Sequence, residues 1–382
     1  MRVAIISDGV HPYVIGGMQR HTFYLCKYLS LSGVKVTLYH FNNSDLDINK
    51  LEIFSEKERE NIESIVVPFP SSNKLPGHYI RDSYAYSCLI YDNIKLKINE
   101  FDFIYSKGFS AWKLIEEKSK GRINCPPIGV KFHGYEMFQR QANIKSFLHS
   151  LILRQPVKWI SNNADFVFSY GSKITEIIKS LGVVNSKIIE IPAGIESDWI
   201  TQQTKPISKV KKFVYLGRYE RRKGIEELNS VLKELILKEC DFEFHFIGPF
   251  ESNQTISSSK VFYHGSITDN MKIRAILDAS DCLVCPSWSE GMPNVILEAM
   301  AGSCAIIASD VGAVSIEVDH SNGILIEPGN KKQLKNALLK FLALDNHTIA
   351  KMQKASLQKI INQFEYSIII KEVVSKIKNT IN

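Results

Sequence analysis

Ser287-Trp-Ser-Glu-Gly-Met-Pro-Asn-Val-Ile-Leu-Glu-Ala-Met-Ala-Gly302 is the stretch on which the reading of this chain turns. An apolar run, Asp281-Cys-Leu-Val-Cys-Pro-Ser287, leads into it, and a second, Cys304-Ala-Ile-Ile-Ala-Ser309, follows. Strand, loop, short helix and strand make a βαβ unit, the building block of a parallel sheet. Pro293 suits the first helical turn, where its missing N–H costs nothing. Glu290 then stands in the loop and Glu298 in the second turn of the helix. The free N–H groups and positive dipole end of that helix face the crevice that Glu290 faces. Such a place takes a phosphate, with a carboxylate beside it for hydroxyls. A capped helix with an acidic residue on either side of its start explains the same letters, and the stretch alone does not choose.

Outward from this unit the same alternation fills the chain. Strand-like runs fall at Val3–Ser7, Val34–Tyr39, Ser64–Phe69, Phe103–Ser106, Ile128–Phe132, Phe166–Ser169 and Ile188–Ile191. Helical stretches separate them. In Met18–Ser30, for example, Met18, Thr22, Leu25 and Leu29 share a face and Gly33 marks the stop. Residues 192–210, rich in Ser, Thr, Gln, Lys and Pro, have the character of a linker. The pattern then restarts with strands at Phe213–Leu216, Phe242–Ile247, Val261–Tyr263 and Gly323–Ile326, and helices at Ile225–Leu237, Met271–Ala279 and Lys331–Leu344. Near-continuous apolar strands between helices mean parallel sheets covered on both faces. The expected architecture is α/β: two facing, doubly wound Rossmann-like domains, residues 1–195 and 196–365, with an interdomain cleft. A last helical segment, residues 366–382, is a candidate to cross back onto the first domain, with Phe364 and Tyr366 marking a bend.

Bulk properties narrow the class. The 382 residues exceed what one core commonly serves. With 45% hydrophobic and 23% charged residues the composition is that of a globular protein. The formal charge of +7 is spread over both halves, unlike the concentrated basic face that binds nucleic acid. No apolar run reaches the roughly 18 residues of a membrane span, and the first strand begins at once, so the cytoplasm is the expected compartment. The seven cysteines are scattered except for Cys282 and Cys285. That pair lies within a strand and reads as two core residues on opposite faces, with no further cluster to complete a metal set. Asp45-Leu-Asp47 has the form of a metal–diphosphate motif but lies in a polar loop and reads as surface.

In doubly wound folds ligands bind at the carboxyl ends of the strands, so the loops there are the candidates. Gly16-Gly17 precedes the Met18 helix; its spacing is not the dinucleotide fingerprint, which disfavours a nicotinamide oxidoreductase. His133-Gly134 follows the Ile128–Phe132 strand. Gly217-Arg218-Tyr-Glu-Arg-Arg-Lys223-Gly224 follows Phe213–Leu216, and Arg218 and Lys223 are placed to neutralise a diphosphate leaving group, with Arg221 and Arg222 in solvent. Glu290 and Glu298 also fit the acid and base of a hydrolase. Against this, Glu298 lies along the helix and points to a different part of a ligand.

Taken together, these segments resemble the retaining glycosyltransferases of family 4, which have the GT-B fold. The resemblance rests on Gly16-Gly17, His133-Gly134, Ile191-Pro-Ala-Gly-Ile195, Leu216-Gly-Arg-Tyr-Glu-Arg-Arg-Lys-Gly224, Phe246-Ile-Gly248, Pro286–Ala301 and Asn322-Gly-Ile-Leu-Ile-Glu-Pro-Gly329. It implies a nucleotide-sugar donor and a glycan or lipid-linked acceptor, with no metal cofactor. It implies Arg218 and Lys223 on the donor diphosphate and Gly291, Met292, Pro293, Asn294 and Val295 along the phosphates and sugar. Glu290 is implied on hydroxyls of the transferred sugar, Glu298 on the ribose, and His133 near the anomeric side. Gly16 and Gly17 then let phosphate and acceptor approach. The chain departs from the family pattern at Ala193, Glu196, Gly312-Ala313 and Ile247-Gly248-Pro249. A non-catalytic sugar-nucleotide or glycan-binding protein and a sugar phosphorylase are the alternatives. The basic, partly apolar segment 143–160, with Phe147, Leu148, Leu151, Ile152 and Trp159, suits either an anionic membrane surface or a core-packed helix.

Overall fold

Val3 and Ile5 face one side of the first strand and Ala4 and Ile6 the other, and each pair is buried in a different apolar cluster. This two-sided burial is what a sheet covered by helices on both faces requires. The computed structural model describes residues 1–42, 52–70 and 77–381. Its strands are β1 (Arg2–Ile6), β2 (Lys35–His40), β3 (Ile62–Val66), β4 (Phe103–Lys107), β5 (Ile128–Lys131), β6 (Phe166–Ser169) and β7 (Ile188–Glu190). The second half supplies β8 (Lys212–Leu216), β9 (Glu243–Ile247), β10 (Val261–Tyr263), β11 (Cys282–Cys285), β12 (Ala305–Ser309) and β13 (Gly323–Ile326). Among the described residues they form two parallel sheets, in the orders β3-β2-β1-β4-β5-β6-β7 and β10-β9-β8-β11-β12-β13. β3 lies earlier than the apolar run suggests. Pro68 and Pro70 lack the N–H that a ladder needs, so pairing stops at Val66.

Strand order reverses between β1 and β4 and between β8 and β11. These are the switch points at which crevices open. The loops after β1, β8 and β11 carry Gly16-Gly17, Arg218–Gly224 and Glu290–Pro293 respectively. Cys282 and Cys285 fall into separate apolar clusters on the two faces of the second sheet, and both are free thiols. Asp45-Leu-Asp47 lies outside the described residues.

The end of the chain returns to the first sheet. The helix Asn346–Lys359 runs into a single wide turn at Ile360–Phe364, and Glu365 is extended. Ile195 then pairs with this turn from both sides: its N–H donates to the Phe364 carbonyl at 2.8 Å and its carbonyl accepts from Tyr366 at 2.9 Å. From there the helix Tyr366–Ile381 buries Ile369, Ile370, Val373 and Ile377 with Val3, Ile5 and Leu29. Tyr366 stacks on Tyr28 with ring centroids 4.9 Å apart. Two chain crossings therefore join the halves at one point, and Gly194, Ile195 and Tyr366 there line a crevice with Arg20 and Glu298.

Candidate functional site

The loop after β11 has no side-chain cap for the helix it enters. Pro293 occupies the position before the helix, which begins at Asn294 and runs to Ala301. No acidic residue lies in its first turn, so the dipole end is uncompensated by its own segment. Pro293 is thus one residue earlier than its φ preference suggested.

Glu290 sits at the centre of a cationic group. Its Oε1 accepts from Lys223 Nζ at 2.6 Å and from Ser287 Oγ at 2.7 Å, and Arg222 Nη1 approaches Oε2 at 3.5 Å. Burial by itself raises a carboxyl pKa, but Lys223 and Arg222 outweigh it and hold Glu290 below its ordinary value. A carboxylate kept ionised in a buried place accepts strong, charge-assisted hydrogen bonds. Gly224 makes this possible: in the left-handed region with φ 69°, it lies where a Cβ would stand 1.9 Å from the Pro286 carbonyl. The β8 loop therefore packs directly on the β11 loop and delivers Lys223 to Glu290.

The rest of that loop differs from expectation. Arg222 donates to the Ser289 carbonyl at 3.0 Å as well as approaching Glu290. Arg221 makes a two-point pair with buried Glu227, at 2.8 and 2.7 Å, and lies over the Trp288 ring. Neither is a solvated charge, because Arg221 is held by Glu227 and Trp288 and Arg222 by the Ser289–Glu290 loop. Arg218, by contrast, is 70% exposed and pairs with Glu220 at 2.9 Å. It borders an open crevice of about 380 Å³ with Tyr219, Pro249 and Phe250. The structure thus groups Lys223 with Arg222 at Glu290 and leaves Arg218 one step outside. Three cations (Arg218, Arg222, Lys223) face two carboxylates (Glu220, Glu290).

The first domain meets this loop closely. A Cβ on Gly291 would lie 1.7 Å from the His133 carbonyl and 3.1 Å from Gly134 Cα. Gln139 clasps Glu290 from the same side, its Nε2 donating to the Glu290 carbonyl at 2.6 Å and its Oε1 accepting from the Glu290 N–H at 3.4 Å. Ala193 N–H points at Met292 Sδ at 3.0 Å. Tyr135 supports the turn in the left-handed region, with φ 49°, and is fully buried. His133 receives or gives a hydrogen bond at Nδ1 with the Tyr170 hydroxyl, 2.8 Å away, while its Nε2 is buried without a partner. Gly17 opens the helix Gly17–Leu31 onto free space, with nothing within 4 Å of where a Cβ would be.

Glu298 is eight residues from Glu290 and in a separate environment. Arg20, from the Gly17 helix, reaches across and donates to its Oε1 at 2.7 Å. Burial raises the Glu298 carboxyl more than Arg20 lowers it. The two share a narrow crevice with Tyr24, Gly194, Trp199, Asn294 and Tyr366. Removing one partner leaves the other charge buried and unpaired. Arg20→Met is therefore expected to cost about 3 kcal/mol in urea unfolding, and adding Glu298→Gln to recover most of it. A cost below about 0.5 kcal/mol would show the pair to be a surface-type contact.

Of the residues expected from the sequence, Glu290, Lys223, Gly291 and His133 meet at this seam, Glu298 lies apart with Arg20, Arg218 stands outside it, and Gly17 faces open space. Arg20 and Gln139 are not among the candidates, and Arg222, expected in solvent, is held at Ser289 and Glu290. Arg20 and Gln139 have no local signature, since their partners are 278 and 151 residues away. Among the described residues no group of three or more His, Cys, Asp or Glu is placed to hold a metal ion.

Residues 15–199 match a family model described as Glycosyltransferase Family 4, and residues 210–344 match one described as Glycosyl transferases group 1. TuaC of Bacillus subtilis, named for teichuronic acid biosynthesis, is 29% identical over 189 residues, 47% of either chain. An N,N'-diacetylbacillosaminyl-diphospho-undecaprenol alpha-1,3-N-acetylgalactosaminyltransferase of Campylobacter jejuni is 28% identical over 186 residues, 46% of this chain and 48% of that one. The chain thus spans about half the length of these two relatives. Anabaena HepE in complex with UDP superposes with a TM-score of 0.70 at 16% identity, over 99% of this chain and 100% of that one.

Proposed function

Because this chain belongs to the family 4 glycosyltransferases of GT-B architecture, we propose that it moves a hexose-type sugar from a nucleotide-sugar donor to an acceptor hydroxyl, with retention of configuration. The observation that carries the reading is the Lys223–Glu290 contact of 2.6 Å at the uncapped start of the Asn294 helix. Cation, helix dipole and ionised carboxylate meet there at one point between the domains. A leaving diphosphate needs the first two, and sugar hydroxyls need the third.

In the reaction the bond from the anomeric carbon to the diphosphate oxygen breaks and a bond from that carbon to the acceptor oxygen forms on the same face. The acceptor's proton passes to the departing phosphate oxygen, so no protein nucleophile is required. Lys223, Arg222 and, once turned inward, Arg218 stabilise the diphosphate, with no metal ion invoked. Glu290 holds the transferred sugar and Glu298 the ribose, for which Arg20 must yield or share. Residues across the seam, His133 and Gln139, exclude water when the domains close. The proposed role is in the synthesis of cell-envelope polysaccharide or glycoconjugate; TuaC is named for teichuronic acid biosynthesis, and the Campylobacter relative for transfer to a diphospho-undecaprenol-linked sugar.

Proton NMR of the product tests the reading. The expected result is a glycoside with the donor's anomeric configuration, formed undiminished in the presence of a chelator. An inverted product, or sugar release that requires inorganic phosphate, would replace it with an inverting transferase or a phosphorylase.

A lipid-linked acceptor is favoured by one surface. In the helix Ile144–Asn163 the far half buries Val157 and Ile160, but the near half leaves Phe147, Leu151 and Ile152 exposed, with Ile144 78% and Leu148 56% exposed. Lys145 and Lys158 are exposed on the same helix, whereas Trp159 packs against the core. Among the described residues no helix is long and apolar enough to cross a membrane. An apolar stripe with basic flanks instead lies on an anionic surface, each lysine adding about 1 kcal/mol. The protein is expected to float with vesicles containing anionic lipid, and Leu148→Glu with Ile152→Glu to abolish it. Recovery only in the soluble fraction would remove this surface from the account.

A further inference from the structure

Phe103-Ile-Tyr-Ser-Lys107 and Ile128-Gly-Val-Lys131 are buried strands that each end in lysine. In the parallel register of β4 and β5, Lys107 and Lys131 are direct partners, so their side chains leave the sheet on one face. Both are buried, at 0% and 1% exposure. Like charges opposite each other destabilise a sheet, and burial adds to the cost. Among the described residues neither ammonium has a carboxylate within salt-bridge distance. Lys107 Nζ contacts His21 Nδ1 at 2.6 Å. Lys131 Nζ donates to the Ile191 carbonyl at 3.3 Å and lies 3.8 Å over the Tyr170 ring. The nearby acid, Asp8, is bonded to Gln19 at 2.9 Å. Burial depresses both lysines, Lys131 to about 7, and the Lys131 charge depresses Lys107 further, so an anion brought beside them would favour their charged forms.

The two imidazoles stand in front of the lysines. His21 and His133 meet edge to face at 5.2 Å. When Lys107 is an ammonium it can only donate to His21 Nδ1, which leaves the His21 proton on Nε2. With the Tyr170 hydroxyl as donor to His133 Nδ1, that proton stands on Nε2 as well. His133 Nε2 has no acceptor in the protein. The cluster is rich in groups that can donate or take up a proton, and among the described residues it has no carboxylate within salt-bridge distance of either lysine. It sits at the carboxyl ends of β4 and β5, beside the His133 carbonyl that touches Gly291.

We propose that one of the two sugars bound in the cleft carries an anionic group, a carboxylate or phosphate, which His133 and His21 receive with Lys107 and Lys131 behind them. The inference rests on the nucleotide-sugar reading above and names the charge class of its substrate. The anion supplies the acceptor that His133 Nε2 lacks and the counter-charge that the lysines lack.

Matched substrates test it. On the donor side, glucose is compared with glucuronate on uridine diphosphate, and mannose with mannuronate on guanosine diphosphate. On the acceptor side, a methyl glucoside is compared with the glucuronoside and with glucose 6-phosphate. In one of the two arms the charged member is expected to be favoured by about 10- to 100-fold in kcat/KM, the value of a charge-assisted hydrogen bond. That ratio should fall toward one in Lys131→Met and in Lys107→Met and persist in Lys131→Arg. Nucleoside diphosphate binding on the same samples reports folding. Should the Met variants not fold, the ratio in the native chain decides alone. Equal or reversed preference in both arms, with nucleotide sugars bound and turned over, overturns this inference and leaves the transferase reading intact. Failure of every nucleotide sugar to bind overturns both.

Discussion

Glu290→Gln lowers the rate of sugar transfer by about 10²- to 10³-fold, with unfolding little changed. The substitution keeps the shape of the side chain and an oxygen that can accept from Ser287 and Lys223, now 2.7 and 2.6 Å away. It removes the negative charge. In the ground state that charge is matched by Lys223 and Arg222. In the transition state the sugar becomes cationic at the anomeric carbon while its hydroxyls polarise toward Glu290, so the loss is felt in kcat and less in KM. Rates with saturating donor, beside urea unfolding of the same samples, separate this from a structural role. A variant that is destabilised yet turns over normally would reduce Glu290 to a partner for Lys223.

Gly291→Ala is expected to be nearly as damaging by a different route. The added methyl would fall 1.7 Å from the His133 carbonyl and 3.1 Å from Gly134 Cα, both backbone atoms of the opposite domain. No side-chain rotation relieves such an overlap, so the domains must part by an ångström or more. Because the obstruction is between domains and not within either core, each domain keeps its packing. Transfer should fall by about 10²-fold, the usual penalty for misplacing reacting groups by this distance. Small-angle scattering should show a chain that no longer closes, while nucleoside diphosphate still binds the second domain. Unchanged turnover would mean that the reacting state is more open than the structure.

Much of this arrangement was legible from the sequence because it is local. The βαβ alternation gives strands such as β8, β10 and β13 almost to the residue, since each is a short apolar run closed by glycine, proline or polar residues. Lys223 and Glu290 were recognisable because glycines bracket one and a helix start follows the other. What escaped depends on long-range closure. Gln139 and Arg20 acquire partners only when the two sheets meet, and their neighbours in sequence carry no hint of it. Arg222 read as one more charge in a basic loop, but the tight turn closed by Gly224 directs it inward. Lys107 and Lys131 did leave a signal, a lysine ending an otherwise apolar strand. Their significance emerges only from the register that sets them side by side. The direction of the last helix was open until Ile195 was seen to pair with the turn before it.

The seam around Glu290 and Lys223 is proposed to cleave a nucleotide sugar. Nucleoside diphosphate release, followed across a panel of nucleotide sugars with the folded chain and no added acceptor, tests it most directly. Slow release is expected from at least one donor, with near-abolition in Glu290→Gln. A folded chain that neither binds nor cleaves any nucleotide sugar in the panel would contradict it.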